Sequence, residues 1–191
     1  MRLNLLIPMA VVVFAGSMKA QSVEQTLKWA RENIGEHAVT HRLEPPSRMS
    51  GTKWEVARIQ GCTVELKETA HREEPESVAK TEGVFGFSED KVVTWIFDLG
   101  TLQPQFIMAD TSVGAPHLKI FAEGDAFHLK TETSSKVLNK DGSTESATNW
   151  SNFSNARNLT MYFDSPSVDN KVLVRRLETD LRDAVALCTQ R

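Results

Sequence analysis

The sequence predicts an α+β domain: seven or eight mostly antiparallel strands in a bent sheet or partly open barrel, a short helix before them and a long helix packed on them. Three observations carry this reading. Apolar and polar residues alternate with a period of two from Thr52 to Phe163. Turn-forming residues break the alternation at short intervals, and helical periodicity is confined to the two flanks. No helix between the strands is long enough for parallel crossovers, which excludes a doubly wound sheet.

The first element is "SVEQTLKWARENIG". Ser22 followed by Gln25 has the spacing of a capping box, Val23, Leu27, Ala30 and Ile34 share one face, and Gly35 supplies a stop. The polar stretch "EHAVTHRLEPPSRMSG" reads as a connection. In "TKWEVARI" Trp54 and Val56 share a face, and in "GCTVELKETA" Cys62, Val64 and Leu66 do. "REEPES" is a charged hairpin loop, and Gly83 and Gly86 in the return strand suggest a bulge or a close approach. "KVVTWIFDL", rich in β-branched and aromatic residues, belongs at the centre of the sheet. Strands follow in "QFIMADT", "HLKIFAE" and "DAFHLKTETSSKVL", with "EGD" as a tight hairpin between the last two. The Asp-Gly pair of "NKDGS" turns into a polar strand around Thr144–Trp150, and "NLTMYF" turns Leu159, Met161 and Phe163 inward. In the last element Ser165 or Ser167 caps a helix begun at Pro166, and Val168, Val172, Leu177, Leu181, Val185 and Cys188 form its apolar stripe.

Residues 1–20 have the layout of a secretory signal peptide: Arg2, an apolar run from Leu3 to Ala15, then small residues with cleavage after Ala20 or Ala15. The run is too short to span a bilayer. The expected organisation is a leader over 1–20, a helix and connection over 21–51, and the sheet with its C-terminal helix over 52–191, the last two forming one domain. Losing the leader removes Arg2 and Lys19 and takes the formal net charge from −3 to −5. An acidic chain without a basic cluster has no electrostatic footprint for nucleic acid or an anionic membrane. The expected location is secreted or periplasmic, with no stable membrane insertion after cleavage. In such an oxidising compartment the two cysteines, Cys62 and Cys188, read as one disulfide that holds the last helix on the sheet. They lack the Cys-x-x-Cys spacing of a redox site, and a cysteine metal centre needs more ligands.

The order of elements from about residue 52 to 190, strands and then one long helix, resembles the pleckstrin-homology-like architecture, in which the helix plugs a bent barrel. The helix-grip fold is the competitor; there Phe97, Phe127, Leu129, Met161 and Phe163 line a ligand cavity of several hundred Å³. Phosphoinositide binding does not carry over, because Lys67 and Arg72 are interleaved with Glu65, Glu68, Glu73 and Glu74.

Catalytic signals are missing. His37 and His41 stand four apart but past the expected helix stop, and read as solvated loop residues. His71, His117 and His128 are scattered, and Glu89/Asp90 and Asp98/Asp110 have no acid–base spacing. No nucleophile elbow, phosphate loop or dinucleotide fingerprint occurs. Asn149, Asn152 and Asn158 head glycosylation triplets that an Asn/Ser/Thr-rich segment produces by composition. Trp54 and Trp95 fit core positions, whereas Trp29 and Trp150 read as surface contacts. The expectation is therefore a non-enzymatic binding domain without cofactor or metal, whose partner is a protein. A helix-grip-type binder of a small apolar ligand is the alternative, followed by a hydrolase without a recognisable motif.

Overall fold

The computed structural model describes residues 10–44, 48–74, 86–139, 141 and 143–190. Helix α1 (Ala10–His37) leads into β1 (Val39–Glu44), β2 (Arg48–Gln60), β3 (Thr63–Glu74) and β4 (Gly86–Asp98). Short 3-10 turns at Leu99–Thr101 and Pro104–Phe106 precede β5 (Ile107–Asp110) and β6 (His117–Phe121). Strands β7 (Phe127–Leu138), β8 (Thr144–Ala156) and β9 (Asn158–Tyr162) follow, and α2 (Asn170–Thr189) closes the chain. The class is α+β as expected, and among the described residues all pairings are antiparallel: six strands in the order β1-β2-β3-β4-β7-β8, and three in the order β5-β6-β9. The sheet is bent and not closed.

The period-two segments become strands, and "KVVTWIFDL" is interior to the large sheet. Their partners differ from expectation in one place. "EGD" joins no hairpin, because β6 pairs with β5 and β9 while β7 pairs with β4 and β8. Alternation identifies which face of a strand is buried but not which strand lies beside it, so Gly124, at φ +77°, turns the chain from one sheet to the other. Two bulges interrupt the large sheet, between Val56 and Arg58 and opposite Ser135/Lys136. Neither lies at Gly86, which pairs regularly with Leu138; of the expected hairpin loop, Arg72, Glu73 and Glu74 instead continue β3 opposite Glu89, Ser88 and Phe87, and residues 75–77 lie, with Gly83, outside the described residues.

Both helices depart from their expected ends. Helix α1 starts before Ser22, because upstream residues already in helical conformation supply the hydrogen-bonding context that a cap otherwise replaces. Gly35 does not stop it: a helical glycine costs only about 1 kcal/mol, and two further residues reach buried positions, with Ala38 N–H bonded to Ile34 O at 3.0 Å. At α2 the cap is Asp169, not Ser165 or Ser167; its carboxylate accepts from the N–H groups of Lys171 and Val172. Val168 and Val172 consequently fall outside the buried stripe and are exposed, while Leu177, Leu181, Val185 and Cys188 are buried as expected.

The core lies where the inner faces of both sheets meet the two helices. Helix α1 packs on β2 and on α2, and α2 also packs on β5, β6 and both 3-10 turns. Val23, Leu27, Ala30 and Ile34 from α1 are buried with Trp54, Val64, Leu66, Phe97 and Phe127 from the large sheet. Ile107, Leu118, Ile120, Leu159 and Met161 supply the small sheet's share.

Candidate functional site

The core-facing side of the large sheet carries a run of aromatic rings. Register places Leu66 opposite Trp95 and Trp95 opposite Leu129, with Trp54 one strand away beside Glu68. Trp54 and Trp95 have centroids 5.8 Å apart; Trp95 meets Phe127 edge-on at 6.2 Å, and Phe97 meets Phe127 edge-on at 5.1 Å. These edge-to-face contacts suit the ring quadrupoles. Where the two helices and both sheets converge, lined by Leu27, Ile34, Val56, Phe97, Met161 and Leu181 among others, the free space is about 20 Å³. That is on the order of a single water molecule.

Glu68 sits at the polar end of this run and accepts a hydrogen bond from Trp95 Nε1 at 3.2 Å. Burial pushes its carboxyl above the ordinary 4.5, against the indole hydrogen bond and the Lys91 charge, which act downward. A raised carboxyl favours the folded state fully below the ordinary value, and that contribution is lost as pH rises through the raised one. Glu68→Gln keeps an acceptor for Trp95 without the charge. It is expected to raise the thermal midpoint at about pH 7 and to leave it nearly unchanged at about pH 4. An unchanged or lower midpoint at neutral pH contradicts this assignment.

The disulfide joins Cys62 in the β2–β3 turn to Cys188 in the last turn of α2, across 126 residues. Both half-cystines are buried. Gly61, at φ +60°, makes the two-residue turn that aims Cys62 inward, and Cys62 O accepts from Leu99 N at 2.8 Å. Trp29 is partly buried, and its ring lies under the guanidinium of Arg176 on α2, 3.8 Å from carbon to centroid. A double-mutant cycle on Trp29 and Arg176 is expected to give a coupling of roughly 0.5–1 kcal/mol. A zero coupling in chemical denaturation removes this contact from the forces holding α1 on α2. Trp150, by contrast, is 47% exposed on β8.

The small sheet's outer face gathers a polar cluster. Asp110 Oδ1 accepts from the Ser112 hydroxyl at 2.7 Å and from its N–H at 3.2 Å, and Oδ2 lies 3.3 Å from Lys119 Nζ. These donors hold the Asp110 carboxyl down at about 2. His117, directly opposite on β6, is buried beneath the Tyr162 ring. Its Nδ1 is 3.0 Å from Ala115 O, and its Nε2 is 3.5 Å from Asp110 Oδ2 without a formed hydrogen bond. Ser, Asp and His are thus neighbours, yet the hydroxyl donates to the carboxylate and not to the imidazole. That order leaves the serine without a base.

Two open grooves border the large sheet. One, about 410 Å³, is lined by Asp90, Val92, Glu132, Thr133, Ser134, Trp150 and Ser151. The other, about 460 Å³, carries Asp98, Glu123, Asp125 and His128 beside Ile96 and Thr101. No three His, Cys, Asp or Glu side chains converge as a metal site among the described residues.

No protein-family model, curated protein or solved structure matches this chain.

The remaining sequence candidates serve local structure. His37 is not a solvated loop residue: α1 continues through it, which sets it one turn beyond Ile34, 5% exposed, with Nδ1 3.2 Å from Ser165 Oγ. His41 lies on β1, so the two histidines share no helix. His71 pairs with Asp90 at 2.7 Å and His128 with Asn155 at 2.9 Å, both across neighbouring strands. Asp98 accepts from Gly100 N and caps the first 3-10 turn, and Asp90 is taken up by His71. Asn152 and Asn158 are exposed, and Asn149 lies on the same strand as Asn152. Sequence reasoning did not anticipate the Asp110–His117–Lys119 cluster. Only the cross-strand register unites its members, and the signal for it was the alternation of "IMAD" and "HLK".

Proposed function

We propose that this chain is exported, loses residues 1–20, and acts without catalysis as a disulfide-tied domain that binds another protein through its outer surface. The filled interior is the observation that carries the reading. A small apolar ligand needs a cavity of roughly 300–1,000 Å³, against about 20 Å³ where helices and sheets converge. Of the side chains that a helix-grip site would use, Phe97, Phe127, Met161 and Phe163 are buried in the core and Leu129 is partly buried against it. Export is supported by the leader pattern, by the disulfide, and by the absence among the described residues of any helix long and apolar enough to cross a membrane.

Native mass spectrometry of the protein taken from its own source tests this. The expected species lacks the leader, contains an oxidised cysteine pair, and carries no small apolar ligand in stoichiometric amount. A full-length reduced chain in the cytosol overturns export, and a co-purified apolar ligand within the core overturns the surface-binding reading.

A further inference from the structure

Among the described residues, three buried side-chain polar atoms have no hydrogen-bond partner, on His117, Thr133 and Asn170. Only the first, Nε2 of His117, belongs to a group that changes charge in water. His117 is 7% exposed and forms with Asp110 the last pair of the β5–β6 ladder, at the mouth of the loop 111–116. Its other nitrogen, Nδ1, lies 3.0 Å from Ala115 O. A carbonyl oxygen can only accept, so in the neutral ring the proton is on Nδ1 and Nε2 keeps a lone pair. That lone pair is 3.5 Å from Asp110 Oδ2. Two acceptors therefore stand side by side, and a single proton between them turns an unfavourable contact into a charge-assisted hydrogen bond.

We propose that Asp110 and His117 form an acid-operated clasp on the small sheet: a proton taken from solvent by Nε2 is donated to Asp110 Oδ2 and locks the mouth of the β5–β6 hairpin. Without that proton the mouth is held by backbone pairing and by Lys119, whose Nζ lies 3.3 Å from the same oxygen. The charged and titratable groups that face the ring are Asp110 from β5, Lys119 from its own strand, and Tyr162 from β9, with ring centroids 5.0 Å apart. Asp164, two residues beyond Tyr162, is exposed. Burial and the Lys119 charge act against a second proton on the ring, while the carboxylate acts for it. Asp110 is suited to that part, since Ser112 occupies Oδ1 through both its hydroxyl and its N–H. Oδ2 has room for two donors. The closed clasp ties three pieces through one ring: β5 at Nε2, β6 by the chain, and the loop at Nδ1. The loop it steadies displays Val113, 85% exposed.

The test follows the oxidised protein by imidazole nitrogen NMR and by amide hydrogen exchange, corrected for its intrinsic pH dependence, at about pH 8 and about pH 5, the limits between which histidine changes charge. At the upper value His117 is expected to carry its proton on Nδ1 alone. At the lower value a slowly exchanging Nε2–H is expected, and the amides of residues 110–117 gain about tenfold in protection, the effect of one hydrogen bond between charged groups. Asp110→Asn is expected to reverse the sign: its carboxamide N–H donates to the neutral Nε2 at about pH 8, and acid then sets two donors against each other. His117→Gln is expected to abolish the step. Should that variant not fold, Asp110→Asn, at a partly exposed position, decides alone. A proton on Nε2 at about pH 8 overturns the proposal. So does wild-type protection that fails to rise in acid, or an Asp110→Asn protein that tightens in acid as the wild type does.

Discussion

Replacing Cys62 and Cys188 together by alanine is expected to lower the unfolding free energy by roughly 3–5 kcal/mol. The bridge closes a loop of 126 residues, and in the chain-entropy picture loops of this size restrict the unfolded ensemble by up to about 4–5 kcal/mol. Alanine at two buried positions adds a small cavity term. The affected region is predictable as well. Strands β3 to β9 and nearly all of α2 lie within the covalent loop, while α1, β1 and β2 lie outside it and depend on packing alone. Guanidinium unfolding of the oxidised protein, the reduced protein and the double variant measures the effect. The last two should unfold at similar, lower midpoints, and hydrogen exchange should accelerate first in the turn of α2 around Cys188. Coincident midpoints for oxidised and reduced protein refute a stabilising bridge.

Phe127→Ala is expected to cost about 3–5 kcal/mol, the range for emptying a large aromatic site in a packed core. Phe127 is fully buried and lies edge-on to both Trp95 and Phe97. Its removal therefore leaves two rings without their partner as well as a void. Phe127 is also the first residue of β7, the point where the chain re-enters the large sheet after building most of the small one. Near-UV circular dichroism, which reports the fixed environment of Trp54 and Trp95, should weaken together with the denaturation midpoint. Phe153→Ala on the exposed side of β8 is the control and should change stability by less than about 0.5 kcal/mol. A Phe127→Ala protein as stable as that control contradicts the central place given to this aromatic run.

How much of this was legible in the sequence depends on the range of the physics involved. Facing positions such as Trp54, Val64, Leu66, Leu159, Met161 and Phe163 were legible because period two fixes a strand's buried side without reference to its neighbours. The Cys62–Cys188 pair was legible from the cysteine count together with the compartment expected from the leader pattern. Strand β1 was hidden, since "VTHRLE" has no clear alternation and becomes a strand only because β2 offers it a partner. The separation of β5, β6 and β9 into a second sheet was hidden for the same reason: no local signal distinguishes a hairpin at "EGD" from a passage between layers. Helix ends failed where tertiary burial of His37 and Ala38 outweighed Gly35, and where Asp169 displaced the serines. The polar cluster around Asp110 depended on register, which the sequence does not carry on its face.

The meeting of α1 with α2 has a consequence for the time course of folding. The pairs β2–β3, β3–β4 and β7–β8 join strands close in sequence, and such contacts form early. The helix layer joins segments remote from one another: His37 reaches Ser165 across 128 residues, and β9 must pass β8 to find β6. Contacts of this separation carry a large loop-closure cost and form late. Until they do, the inner faces of both helices and the aromatic run stand in water together with the edge of β8, which carries no charge from Ser146 to Ala156. The interval of greatest aggregation risk is therefore set by topology, and whatever shortens the docking of the two helices shortens that exposure.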